Sequence, residues 1–311
     1  MANDPKNIES EADAYERILN LYWIEGPGDV GKGYKTCETQ LLNYLTSPEK
    51  TDNAAVAQLF MASDELLVAG NLIAKKRLAE GWAWMDKAQA RAYWSYQAYS
   101  HTSWSPSGYS RFVFDLTNFC AFFSLALARG NEQQIVWYAQ QLYNLRRGGV
   151  AGLCCKALDY LDFYWETAIA VLNNAWPSAD ELSENMGIYR DLFLAAGDGN
   201  IIQDALVACA RYHLDLAAFT PPKNEEQADH PFRTLYIGHI AYELMAWLAL
   251  HKRFFGPLIV PIRHPMFLAE LVNPPSQQPY TDKLIEKFRM NANVHFGGNW
   301  AIEIVPSIDS L

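Results

Sequence analysis

The best-spaced acids in this chain are Asp159, Asp162 and Glu166, which at i, i+3 and i+7 share one stripe of a helix read over 152–173. Carboxylates so arranged can hold magnesium and, through it, a diphosphate, because hard oxygen ligands suit a hard cation. That chemistry, used by all-α prenyl-transferring enzymes, needs a second acidic motif on a facing helix. The nearest offering, Asn200, Gln203 and Asp204, lacks the Ser/Thr and Glu that would complete it. Tyr160, Phe163, Tyr164 and Trp165 interleave with the acids, which suits a ligand pocket and equally suits a helix with one face buried. An acidic interaction face or a solvated stripe therefore outweighs a metal site in the expectation.

Other constellations are weaker. Gly26 to Lys32 matches the spacing G-x-x-x-x-G-K of a phosphate loop, but Gly33 stands where Ser or Thr would hold magnesium. Pro27 removes an amide donor and Asp29 puts negative charge where phosphate would sit, so a flexible turn is expected. The seven histidines never fall at H-x-x-x-H or E-x-x-H, the spacings of a helical metal centre. His239 and Glu243, at i and i+4, are expected to pair across a helical turn. No serine occupies a nucleophile elbow. Cys37, Cys120, Cys154, Cys155 and Cys209 lie mostly in apolar runs and are odd in number, which points to reduced thiols rather than a disulfide framework or zinc site. The expectation is a chain with no catalytic residue, no bound cofactor and no metal.

The elements that position these residues read as helices. Leu127-Ala128-Arg129-Gly130-Asn131 and Leu194-Ala195-Ala196-Gly197-Asp198 each end an apolar run on a glycine able to adopt the left-handed C-cap conformation. Asn or Asp follows, ready to cap the next helix. Apolar residues at helical spacing predict helices over 8–24, 36–45, 53–79, 82–101, 111–128, 132–145, 152–173, 179–194, 201–219, 231–252 and 281–289, with a kink at Gly70-Asn71. Alternation in Asn293-Val294-His295-Phe296 and Trp300 to Val305 allows a small C-terminal β-hairpin. The expected fold class is all-α, an antiparallel array of helix hairpins. We read it as one helical domain over 1–311, with sub-lobes 1–148 and 149–311 as the alternative division.

Two surfaces stand out for binding. Between Ser178 and Asp204 the acids Asp180, Glu181, Glu184, Asp191, Asp198 and Asp204 face only one basic residue, Arg190. The segment carrying Trp82, Trp84, Tyr93, Trp94, Tyr96, Tyr99 and Trp104 spreads aromatics over more than one helix face, so it is either a central buried helix or a source of interface anchors. Aromatic residues make up 14% of 311 and hydrophobic residues 50%, which excludes a disordered chain. A formal net charge of -10 disfavours nucleic acid and anionic lipid and favours a basic protein partner. Met1 to Lys6 lacks a charged-then-apolar leader pattern, and no apolar run reaches membrane-spanning length without interruption, so the expected location is cytoplasmic.

Three segments carry a likeness to a known family: Ala195-Ala196-Gly197-Asp198, the run from Ala241 to His251, and Ile259-Val260-Pro261-Ile262-Arg263-His264-Pro265. Together they resemble the large all-α immunity proteins of bacterial polymorphic toxin systems, nearest in type to the immunity protein 49 family. The likeness covers roughly the C-terminal half. It implies a catalytically inert cytoplasmic protein that binds and neutralises one cognate toxin in bacterial competition. On that reading Asp159, Asp162, Glu166, Asp180, Glu181, Glu184, Asp191, Trp82, Trp84 and Trp94 are the candidate partner-binding residues, and a basic toxin such as a nuclease is the fitting partner. The alternatives are a magnesium-dependent prenyl-diphosphate enzyme using Asp159, Asp162 and Glu166, and a helical-repeat adaptor with an aromatic groove.

Overall fold

A computed structural model of the chain describes residues 5–21, 31–102, 116–147, 157–217, 230–233, 238–258, 264–266, 274–277 and 282–298. About 80% of the described residues are helical, in eleven α-helices, with no strand among them. The helices are α1 (Pro5–Leu21), α2 (Lys32–Tyr44), α3 (Thr51–Ala74), α4 (Leu78–Thr102), α5 (Leu116–Arg129), α6 (Glu132–Arg147), α7 (Leu158–Asn173), α8 (Ile188–Leu194), α9 (Gly199–Ala217), α10 (Tyr242–Phe255) and α11 (Lys283–Phe296). They group into two compact units, each built from separated stretches of chain: Met1–Trp23 with Phe114–Pro274, and Ile24–Val113 with Pro275–Leu311. These boundaries divide the chain elsewhere than at 148/149.

The unit of α2, α3, α4 and α11 is built around α3, which packs along α4, α2 and α11. Alanines at 54, 55, 57, 62 and 69 are buried along with Leu59, Leu66, Leu67 and Ile73, so α3 is covered on most of its circumference, as a central helix is. The stretch Pro48–Ala74 has the length and composition to cross a membrane, yet 83% of its most apolar window is buried inside the protein, and it serves here as a core helix. It runs unbroken through Gly70 and Asn71, where a kink was expected; Asn71 Nδ2 donates to Leu67 O at 3.0 Å. Gly81 lets α4 lean directly on α3, since a Cβ there would lie 2.4 Å from Ile73 Cγ1 and 3.1 Å from Ala69 O. Arg91 locks the unit from inside. Its guanidinium meets Glu65 of α3 at 2.9 Å and Asp282, the N-cap of α11, at 2.8 Å. Asp282 Oδ1 in turn accepts from Leu284 N at 2.7 Å.

The other unit holds α1 and α5 to α10. Helix α5 packs on α10 and α6, α6 on α7, α7 on α10, α8 on α9, and α9 on α1. Its core is aromatic: Phe119, Phe122, Phe123, Tyr138, Phe163, Tyr164, Tyr189 and Trp247 are almost wholly buried. At the α5–α6 turn Gly130 takes φ +67° and Asn131 Oδ1 accepts from Gln134 N at 3.3 Å, the expected C-cap and N-cap pair.

Elsewhere the local reading and the fold differ. The helix expected over 179–194 is a 3-10 turn (Glu184–Met186) followed by the short α8, because Gly187 takes φ +54° between them. Gly197 is not left-handed: α8 ends on Ala195 in the right-handed region, although Asp198 does cap α9 by accepting from Ile201 N at 3.4 Å. The helix expected over 231–252 is a 3-10 turn (Pro231–Arg233) and, separately, α10 starting at Tyr242; residues 234–237 lie outside the described ones. Asn293 to Phe296, expected as one arm of a β-hairpin, forms the last turn of α11, where Phe288 and Ala292 are buried on its inner face. Residues 300–305, the other arm, lie outside the described residues, as do Gly26 to Val30 of the glycine-rich turn and Cys154 and Cys155.

Candidate functional site

The acids singled out from the sequence fall into two populations. Asp159, Asp162 and Glu166 share one side of α7 as their spacing requires, but that side is buried, with residue exposures of 8%, 0% and 4%. Asp159 accepts from Tyr212 Oη at 2.7 Å and from Tyr160 N at 2.8 Å, and His230 Nε2 lies 3.5 Å away. Burial works to raise its pKa. His230, Tyr212 and the Tyr160 amide together outweigh that, and the carboxyl titrates below its ordinary range. Asp162 accepts from Ser183 Oγ at 2.6 Å and pairs with Arg146 Nη2 at 2.5 Å. Glu166 Oε1 accepts from Ser183 N at 3.4 Å. Burial, helped by the charges of Asp162 and Glu181, lifts its pKa to about 6 against the Ser183 amide and Arg146.

Both acids of the second and third positions thus close on Ser183, in the connection between α7 and α8. Ser183 Oγ also accepts from Asn185 N at 3.2 Å, capping the 3-10 turn. The other end of the connection is held by Trp176. Its indole N–H donates to Phe193 O at 3.2 Å, and its ring packs edge-on against Trp247 and Phe255 at 6.1 and 5.0 Å. A loop fastened twice presents its remaining side chains in fixed places. Asp180, Glu181 and Glu184 are exposed on it. The Glu181 carboxylate accepts from Ser178 N at 3.0 Å and Ser178 Oγ at 2.8 Å, and those bonds, the amide first, lower its pKa.

Helices α8 and α9 form an open groove of about 470 Å³, lined by Ala195, Ala205 and Ala208, by Leu194 and Ile201, and by Asp191 and Asp204. Leu194 and Ile201 are 48% and 56% exposed, unusual for side chains of their size. Asp191 and Asp204 are exposed, and neither has an ion-pair partner among the described residues. A second cleft of about 390 Å³, at the ends of α5 and α10, is bounded by Arg129, Lys252 and Arg253, with Arg253 holding Glu132 through two bonds of 2.8 and 2.9 Å.

Comparison with family models, with curated proteins and with solved structures finds no match to this chain. What the site can do therefore rests on its own chemistry. Among the described residues, no three His, Cys, Asp or Glu side chains are placed to hold a metal ion. The α7 acids point their oxygens at Tyr212, Ser183 and Arg146 and act as braces. Among the described residues, the shortest contact of an imidazole with a carboxylate is His213 Nδ1 with Glu243 Oε1 at 2.9 Å; both are fully buried, His213 Nε2 meets Gly238 O at 3.3 Å, and Phe232 stacks on the imidazole at 3.8 Å. Glu243 was expected to meet His239, but α10 starts at Tyr242, so those two residues do not share a helix. Spacing gave no sign of His213, which lies 30 positions upstream.

Trp82, Tyr93 and Tyr96 of α4 belong to the interior of their unit, and the Tyr99 side chain and Trp104 lie outside the described residues. Trp82 is 1% exposed, and Tyr93 and Tyr96 are buried. Trp84 and Trp94 are half-buried, with Lys87 Nζ 4.7 Å from the Trp84 ring and the Arg289 guanidinium 4.2 Å from that of Trp94. Of the residues expected to bind a partner, Asp180, Glu181, Glu184 and Asp191 are at the surface; Asp159, Asp162, Glu166 and Trp82 are inside, and Trp84 and Trp94 are partly covered.

Proposed function

We propose that this chain is a non-catalytic binding protein of the immunity type, which neutralises a basic cognate toxin by protein–protein contact in the cytoplasm. One observation carries the reading: buried acids of α7 fasten the loop 174–183, on which exposed acids stand, and α8, the helix that follows, forms with α9 a largely apolar groove that Asp191 and Asp204 also line. Fixed negative charge around an apolar centre speeds the approach of a basic protein and lets apolar burial hold it once docked. The overall charge of -10 acts in the same direction. A prenyl-diphosphate enzyme would need the α7 acids open to metal, and they are buried; an aromatic-groove adaptor would need the α4 rings open to a peptide, and Trp82, Tyr93 and Tyr96 are buried while Trp84 and Trp94 are partly covered.

The test is co-expression with the product of the neighbouring gene. Expressed alone, that product should stop growth; with this chain present, growth should return and the two proteins should co-purify. A neighbouring product that is harmless by itself would overturn the toxin reading.

A further inference from the structure

We infer that the groove between α8 and α9 seats a single amphipathic helix of the protein partner, apolar along its docked edge and bearing lysine or arginine on both flanks. The inference deepens the binding reading above and rests on it. Ile201, Ala205 and Ala208 recur at i, i+4 and i+7 along α9, and Leu194 and Ala195 at the end of α8 face the same opening. The alanines in the lining allow the close backbone approach at which one helix ridge enters the groove of a neighbouring pair. The two large side chains, Leu194 and Ile201, leave about half their surface in water until something covers them.

Charge selects the occupant. Asp191 of α8 and Asp204 of α9 both line the groove and both are exposed, so a helix lying in it meets a carboxylate from each of the two helices. The one basic residue nearby in sequence, Arg190, has its guanidinium donating to Ala179 O at 3.3 Å. An acidic helix would be repelled by both carboxylates, whereas a helix with cationic flanks would form a charge pair with each. The walls are helices throughout, so the groove takes a helix by ridge packing and has no strand edge to extend.

The probe is a designed helical peptide of about 18 residues, with leucines at i, i+3, i+4 and i+7 and flanking lysines, compared with the same peptide flanked by glutamates. Both are titrated into the full chain. The lysine peptide should bind and the glutamate peptide should not. Leu194→Gln with Ile201→Gln, both at exposed positions, should weaken binding about tenfold or more with the helical spectrum unchanged. Asp191→Lys with Asp204→Lys should invert the preference between the peptides. Absence of binding, equal binding of both peptides, or binding untouched by either variant pair would overturn the inference. So would variants that change only self-association, since a second copy of the chain would then be the occupant. The neighbouring gene's product separates this inference from the broader reading. If wild type captures it and the groove variants do so equally well, the groove falls and the partner-binding reading stands. If wild type ignores it while the lysine peptide still seats, the groove stands and the toxin reading falls.

Discussion

Ser183 ties two buried acids to an exposed loop through a single residue, donating its hydroxyl to Asp162 and its amide to Glu166. Ser183→Ala removes the hydroxyl alone, leaving Asp162 without that donor in a buried site and the 3-10 turn without its cap. We expect a loss of about 1–3 kcal/mol in chemical denaturation, together with faster amide exchange at 184–186 than in α7. A loss confined to global stability, with no local change at the turn, would detach Ser183 from the loop. Glu166 gives a pH signature of the same brace. Its folded pKa of about 6 lies above the ordinary 4.5, so the protonated form is favoured by folding. The associated stability is complete below about pH 4.5 and disappears as pH rises through 6. Glu166→Gln, which keeps an acceptor for the Ser183 amide, should therefore be more stable than wild type at pH 8 by up to about 2 kcal/mol and should lose that advantage near pH 4.5. Parallel stability curves for the two proteins from pH 4.5 to 8 would contradict the raised pKa.

At the scale of elements, close helix packing makes its own demand. Gly81→Ala forces Ile73 to shift at the point where α4 rests on α3, and should cost about 1–3 kcal/mol. Gly197→Ala, where a Cβ meets nothing within 4 Å and the backbone is not left-handed, should be neutral or slightly stabilising. Thermal melts of the two variants check the contrast, and equal shifts would refute it. That contrast also shows what local sequence discloses. Gly130 and Asn131 were legible because a left-handed cap and a side-chain acceptor are local chemistry acting within four residues. The second break misled because Ala195-Ala196-Gly197 leaves the chain free to turn without a left-handed residue, and the positive φ fell instead on Gly187, inside the stretch whose apolar spacing reads as one helix. The α7 acids were legible as one stripe, while their burial was not, since Ser183 and Tyr212 reach them from 21 and 53 positions away. The aromatics of α4 show the same limit: period gives the faces of a helix, and the number of neighbours around it decides how many of those faces are inside.

Across the whole molecule, a charge of -10 predicts that association with a basic partner weakens steeply as salt rises. The exposed acids on the fastened loop are the focus of that field, while the α7 acids, already paired inside, add little to it. Reversing Asp180, Glu181 and Glu184 to lysine should leave the helices intact, because all three side chains are exposed and the only bonds lost among the described residues are those of Glu181 to Ser178 at the loop surface. The most direct measurement is the association rate of the neighbouring gene's product with wild type and with this triple reversal, at low and at high salt. Rapid binding by wild type, slowed about tenfold or more by the reversal at low salt and converging at high salt, is the expected result. Equal rates for both proteins at low salt, or no association with wild type at all, would contradict a grip steered by this surface.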